Sequence, residues 1–219
     1  MNDSHSIFIR WLLKAYLWGT ELLYHSFAWA YDIVAWLVSF GWWAQWRRDA
    51  LDYLQDGSIL ELGFGTGALL LTIAERGYDV VGLELSAEMH RVTTRKLERQ
   101  GVQVRRIRGS SYALPFDSGI FDNVVSTFPS NYILQKATLN EIHRVLSPAG
   151  RVVVVGLGVR FKSRWKNWLT RWFLSDGSER YTELFQAEAE KAGFKSKIFL
   201  CDRENYSLPV LLMERRDHG

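Results

Sequence analysis

Apolar and polar positions along this chain switch between a period of two and a period of 3.6, and the switches mark its elements. Ile59-Leu60-Glu61-Leu62 is apolar on both faces apart from one acid, as in a strand buried from both sides. Ala68 to Arg76 has apolar residues at helical spacing and is stopped by Gly77. Tyr78 to Glu84 reads as a second strand, and Ser86 offers an N-cap to a helix running to about Gln100, with Gly101 as its stop. Asp122 to Thr127 and the valine-rich Arg151 to Gly156 read as strands four and five, with a helix over Ala137 to Leu146 and a turn at Ser147-Pro148-Ala149-Gly150 between them. Glu179 to Ala192 reads as a helix stopped by Gly193, and Phe194 to Cys201 and Ser207 to Arg215 as a terminal hairpin. Strands alternating with helices predict an α/β fold: a doubly wound, mostly parallel seven-stranded sheet with helices on both faces and an antiparallel C-terminal hairpin. Residues 51–219 form this domain, and residues 1–50 precede it as a tryptophan-rich helical cap.

The first strand runs into Gly63-Phe64-Gly65-Thr66-Gly67, with glycines at alternate positions. Without Cβ atoms, the backbone N–H groups of such a turn can come close to a ligand, and the following helix N-terminus completes a cofactor cradle. A dinucleotide fingerprint has the spacing G-x-G-x-x-G. Here the third glycine comes one residue early, after Glu61-Leu62. That pattern resembles motif I of the class I S-adenosylmethionine-dependent methyltransferases. The resemblance implies that Glu61, Gly63, Gly65 and Gly67 surround the methionine portion of S-adenosyl-L-methionine. Glu84 lies 23 positions after Glu61, at the tip of the second strand, where a carboxylate can accept from two ribose hydroxyls.

Gly109-Ser110-Ser111-Tyr112-Ala113-Leu114-Pro115-Phe116 and Phe121-Asp122-Asn123-Val124-Val125 look like the "GDA…LPF…FD.V" region of the same family. By that resemblance Ser110 meets the adenine, with Ser111 supplying a neighbouring backbone N–H. The family often has Asp where this chain has Ser110, so the contact here is uncharged and weaker. Phe64 and Leu85 read either as apolar neighbours of the adenosine or as core residues. Thr127, at the end of strand four, is grouped with the cofactor residues. The match covers residues 58–156 well and the rest by element order, and it implies a Rossmann-like sheet whose last hairpin inserts an antiparallel strand.

Charge and aromatics sharpen the picture. Seven of the ten tryptophans lie within residues 11–46, and Trp29, Trp36 and Trp43 are seven apart, on one side of a helix. Trp165, Trp168 and Trp172 sit among Arg160, Lys162, Arg164, Lys166 and Arg171, which reads as a basic amphipathic helix over 160–172. Tryptophan favours the membrane–water interface and basic side chains attract anionic headgroups, so both segments suit peripheral membrane contact as well as roofing of the site. Asp32, His25 and Gln45 interrupt the stretch from Leu22 to Trp46 and argue against a transmembrane span, and the first ten residues lack the basic start of a signal peptide. Cys201 is the only cysteine, which excludes an internal disulfide and a cysteine metal cluster; no metal is expected, and a reducing cytoplasm fits. A net charge of +3 does not imply a nucleic-acid partner. The run Thr127-Phe128-Pro129 is not the "NPPY" of amino-methylating nucleic-acid enzymes.

The N-terminal segment carries a second resemblance. Ala28-Trp29-Ala30-Tyr31-Asp32, Ser39-Phe40-Gly41 and Trp46-Arg47 look like the entry segment of the ubiquinone/menaquinone biosynthesis C-methyltransferases, in the methyltransferase type 11 group. That implies a lid over the cofactor, with Tyr31 as a lid residue. Bacterial phospholipid N-methyltransferases show a related layout. Methyl transfer asks the protein mainly for alignment and desolvation, and for a base only if the nucleophile must lose a proton. Tyr132 and His25 are the catalytic candidates; Ser130 and Asn131 lie beside Tyr132, and His143 sits in a scaffold helix without a role.

The expected function is S-adenosylmethionine-dependent methyl transfer to a small lipophilic acceptor, a quinone precursor or a lipid amine headgroup, at or near a membrane surface. The expected location is cytoplasmic, peripheral on the inner face of the plasma membrane. A non-catalytic membrane-associated binding protein on the same fold and a nicotinamide-dependent oxidoreductase are the alternatives.

Overall fold

The computed structural model describes residues 31–166 and 178–216. The N-terminal part contributes two short helices, α1 (Tyr31–Val38) and α2 (Trp43–Asp49), followed by a single 3-10 turn at Ala50–Tyr53. Then come β1 (Ile59–Leu62), α3 (Ala68–Glu75), β2 (Val80–Glu84), α4 (Ala87–Gln100), β3 (Arg105–Arg108) and β4 (Phe121–Thr127). The chain finishes with α5 (Lys136–Val145), β5 (Leu146–Val155), the two-residue β6 (Arg160–Phe161), α6 (Ser178–Lys191), β7 (Phe194–Asp202) and β8 (Tyr206–Arg215).

The sheet order is β3-β2-β1-β4-β5-β8, with β7 and β6 both on β8. β1 to β5 are parallel, and β8 runs antiparallel between β5 and β7. The expected doubly wound sheet is therefore present, and β6 adds an eighth strand to the seven anticipated. The reversal of strand order falls between β1 and β4, so the crevice for a ligand lies at the carboxyl ends of those strands.

Side-chain alternation divides the core into two layers. Leu60, Leu62, Val124, Val152 and Val154 pack with Leu139, Ile142 and Val145 of α5 and with Phe185 and Ala189 of α6. Ile59, Val125, Val153 and Val155 pack on the other face with Trp46 of α2 and with Leu69, Leu70 and Ile73 of α3. Val152 to Val155 are all fully buried, and each contributes about 1.5–3 kcal/mol of transfer free energy.

Local signals set the boundaries. The Ser86 hydroxyl accepts from the Met89 N–H at 3.3 Å and starts α4; Gly101, at φ +66°, ends it. Three expectations need correction. Trp36 and Trp43 do not share a helix, because Phe40 (φ +53°) and Gly41 (φ +83°) break the chain between α1 and α2. Trp29 lies outside the described residues. Arg160 and Phe161 are not helical but pair with Ser207 and Tyr206, so helical structure begins only at 164. Ser147–Gly150 is not a separate turn; it belongs to β5 and forms a bulge where the register against β4 shifts.

Candidate cofactor and acceptor site

The three loop glycines adopt left-handed backbone: Gly63 at φ +70°, Gly65 at +52° and Gly67 at +69°. A side chain at Gly63 would collide with the Tyr132 hydroxyl, and one at Gly67 with Thr93 of α4. The loop is held on several sides. Gly65 N–H donates to Glu84 Oε2 at 3.0 Å, the Thr93 hydroxyl donates to Gly65 O at 2.9 Å, and Gly63 N–H donates to Leu83 O at 2.7 Å. The other Glu84 oxygen accepts from Ser86 N–H at 2.8 Å. Glu84 is almost fully buried, and these two bonds orient its carboxylate at the strand tip.

Beside it opens a cavity of about 220 Å³ between the ends of β1, β2 and β4. Gly63, Glu84, Leu85, Ser110, Ser111 and Tyr132 line it, and so do Leu83, Gly109, Tyr112 and Ser130. The volume is below the roughly 300–1,000 Å³ of sites that take a whole ligand, so the cavity has room for only part of one. Ser110 Oγ accepts from the Tyr112 N–H at 3.2 Å, and Ser111 shares a hydrogen bond of 3.0 Å with Thr138. Leu85 is 64% exposed on the cavity rim, where it can cover an aromatic base.

The remaining candidates lie elsewhere. Phe64 is buried, stacks edge-on against His90 at 4.8 Å and packs on Gly82, so it supports the loop from below. Thr127 closes β4 and Gly67 caps α3, both outside the cavity wall. Tyr31 opens α1, and its side chain lies outside the described residues, as does His25 altogether. Tyr132 is placed with its hydroxyl under Gly63, 3.1 Å from Leu62 O and 2.9 Å from Ser126 Oγ. Burial pushes this phenol well above the usual tyrosine range, with Glu84 and Glu61 adding to the effect against the Ser126 bond. Tyr132 therefore enters the site as a neutral phenol, with its proton already shared inside the protein.

Glu61 alternates with Leu60 and Leu62 and so points to the α3 face, behind the loop rather than into the cavity. It is 2% exposed, and its Oε2 has no hydrogen-bond partner among the described residues. Burial pushes its pKa to about 8; the Arg47 charge pulls it down and the Glu84 charge pushes it up. Its unpaired oxygen is a buried acceptor behind the glycine loop, outside the cavity wall.

On the α3 face of the sheet, from the end of β4 onward, stands an aromatic wall. Phe128, the first residue after β4, holds a left-handed backbone (φ +51°) and lies against Gly156, which has no Cβ to block its ring. Trp43 covers Phe128 at 4.1 Å between ring centroids, and Trp46 reaches both Phe128 (5.8 Å) and Phe161 (5.7 Å). Phe40 joins Phe161 at 5.6 Å to Trp165 at 5.4 Å. Sequence reading noted these tryptophans but not Phe128, Phe161 or Tyr112 as neighbours of the site. Phe128 carries a signal that could have found it, since it directly follows a strand at the ligand edge.

Residues 59–150 match the family described as a methyltransferase domain. The chain is 40% identical over 131 residues to a demethylmenaquinone methyltransferase of Thermus thermophilus, covering 57% of this chain and 60% of that protein. It is 32% identical over 146 residues to the ubiquinone/menaquinone biosynthesis C-methyltransferase UbiE of Geotalea uraniireducens, covering 61% and 60%. The matches thus span about three fifths of these relatives. Among solved structures, a putative S-adenosyl-L-methionine-dependent methyltransferase from Methanococcus maripaludis superposes with a TM-score of 0.65 at 17% identity, over 88% of this chain and 93% of that one. A geranyl diphosphate methyltransferase in complex with S-adenosylmethionine gives 0.59 at 17%, over 79% and 85%. At such identity the likeness shows the fold.

Proposed function

We propose that this chain, whose residues 59–150 match a methyltransferase-domain family, is a class I S-adenosylmethionine-dependent methyltransferase that moves the methyl group of S-adenosyl-L-methionine onto a small lipophilic acceptor of the quinone-precursor kind. The half-buried Trp43, Phe128 and Phe40 of the aromatic wall, with the exposed Trp165, carry the acceptor half of this reading, and the buried Trp46 and Phe161 back them. A flat apolar ring fits against the partly exposed members of the wall and displaces water from them.

The cofactor supplies a methyl group already activated by its sulfonium. The protein's part is to bind, orient and dry. Glu84 holds the ribose hydroxyls, the left-handed Gly63 and Gly65, whose N–H groups are bonded to Leu83 O and Glu84, bring the loop backbone close to the ligand, and Leu85, Ser110 and Tyr112 border the base. Tyr132 braces Gly63 from below, and the wall excludes water from the transfer path. The reading divides the chain into a cap, residues 1–50, of which the structure describes residues 31–50, and a cofactor domain, residues 51–219.

The reading includes peripheral contact with a cytoplasmic membrane face. Trp36, Leu37 and Trp165 are each nearly 60% exposed. Lys166 Nζ lies 5.3 Å from the ring of Phe40 and 5.7 Å from that of Trp165. Exposed indoles beside a lysine suit an anionic headgroup layer. Among the described residues no helix is long and apolar enough to cross a membrane.

Mass spectrometry of a lipid extract incubated with the protein and methyl-labelled cofactor tests the activity. Label in a quinone precursor is the expected result, and label in no extracted lipid refutes the reading. Flotation with anionic liposomes tests the contact: the double variant Trp36→Ser, Trp165→Ser should float less than the parent protein, and equal flotation refutes the membrane face.

A further inference from the structure

Asp32 is the second residue of α1, yet its side chain is spent on partners far along the chain. Its Oδ1 accepts from the Thr66 hydroxyl at 2.8 Å, and its Oδ2 pairs with Lys96 Nζ, also at 2.8 Å. Arg47 of α2 stands 3.7 Å from Oδ1. Thr66 is the buried residue between the second and third glycines of the cofactor loop. Lys96 lies on α4, one turn after Thr93, which already grips Gly65 O. One carboxylate therefore joins the cap, the cofactor loop and the helix that supports the loop.

The same carboxylate is linked to the floor of the site. Arg47 faces Asp32 on one side, and its charge reaches the buried Glu61 on the other. Burial alone would raise the Asp32 pKa, but Lys96, Thr66 and Arg47 hold it below the usual carboxylate range, so the junction is ionic at neutral pH. The pair is about one third exposed, with side-chain exposures of 26% for Lys96 and 37% for Asp32. Salt can weaken such a pair, whereas a sealed core contact would not respond.

We propose that Asp32 is a positioning residue that latches the cap onto the cofactor loop, so that the cofactor and its product exchange only when the Asp32–Thr66 and Asp32–Lys96 contacts open. The gating half of this inference rests on the cofactor reading above; the latch itself does not. The two contacts are separable. Asp32→Asn keeps an oxygen for Thr66 and loses the charge for Lys96, while Thr66→Val removes only the hydroxyl.

Two measurements on the full-length protein test it. Hydrogen exchange of residues 31–38 in the ligand-free protein reads the latch. Stopped-flow release of S-adenosylhomocysteine reads the gate. In Asp32→Asn both should accelerate about tenfold, the worth of one partly exposed charge-assisted bond. The wild-type release rate should rise between low and high salt, and that of Asp32→Asn should not. The charge-swapped pair Asp32→Lys, Lys96→Asp should recover part of the slow release, which a merely structural role would not give. Unchanged exchange in Asp32→Asn overturns the latch. Faster exchange with unchanged product release overturns the gate. Faster exchange in a protein that holds no S-adenosylhomocysteine at all overturns the cofactor reading, and the gate with it, while the latch is upheld.

Discussion

Glu61→Gln should abolish a specific pH dependence of stability. In the native protein burial raises the Glu61 pKa from 4.5 to about 8. Between those values the native state keeps a proton that the unfolded chain has released. The native state therefore binds more protons, and stability falls as pH rises from about 5 to 8. The full gap corresponds to a ceiling of about 5 kcal/mol, which relaxation around the buried carboxyl reduces to about 2–4 kcal/mol. For a domain of this size that is a fall in Tm of roughly 5–10 °C. The other carboxyl, phenol and thiol groups with a resolved shift among the described residues act outside this window. Asp32, Glu88, Asp122, Glu141 and Asp202 are lowered and contribute only as pH falls through their range, and Tyr53, Tyr132, Cys201 and Tyr206 are raised and matter only in alkali. Scanning calorimetry at pH 5.5, 6.5, 7.5 and 8.5 at constant ionic strength reads the slope directly. Wild type should lose Tm across the series and Glu61→Gln should lose several degrees less. Parallel slopes would show that Glu61 is not protonated at neutral pH and would refute the argument.

Three further outcomes follow from the geometry. Glu84→Ala should weaken S-adenosylmethionine binding about 100-fold by calorimetric titration, because the anchor for the ribose and for Gly65 N–H is removed together. Gly156→Ala should cost about 2–4 kcal/mol in urea melts, since it combines φ +90° with a collision against the Phe128 ring; Gly77→Ala, at φ +81° in open space, should cost about 1 kcal/mol. Tyr132→Phe should lower kcat modestly without moving the pH profile below pH 9, because its phenol is neutral and already committed; an altered acid limb would show it titrates in catalysis.

The elements readable in the sequence were those with local causes. Ser86, Gly77 and Gly101 mark helix ends through their own hydrogen bonds or backbone angles, and the structure places those ends within a residue of expectation. The glycine loop and Glu84 were equally readable, because spacing alone puts them at one sheet edge. What failed was inference across a break. The heptad of tryptophans suggested one continuous helix, but Phe40 and Gly41 turn the chain, leaving Trp36 exposed while Trp43 faces Phe128. The basic segment lost its first turn because pairing with Tyr206 and Ser207 outweighed amphipathic periodicity. The partners of Asp32 are 34 and 64 residues away, and no local pattern encodes them.

The seat of Trp46 has a consequence for synthesis. This fully buried indole packs on Phe128, Phe161 and Tyr206. Three residues beyond it, Asp49 accepts from Arg203 Nη2 at 2.7 Å and from the Tyr206 hydroxyl at 2.6 Å. A growing chain thus displays Trp46 for the time needed to make 160 more residues before its socket exists, about 10–30 s at ribosomal rates. During that interval the tryptophan-rich segment is the part most exposed to chaperones or to a nearby bilayer. The cap is the first part of the described chain to be synthesised and among the last to be seated.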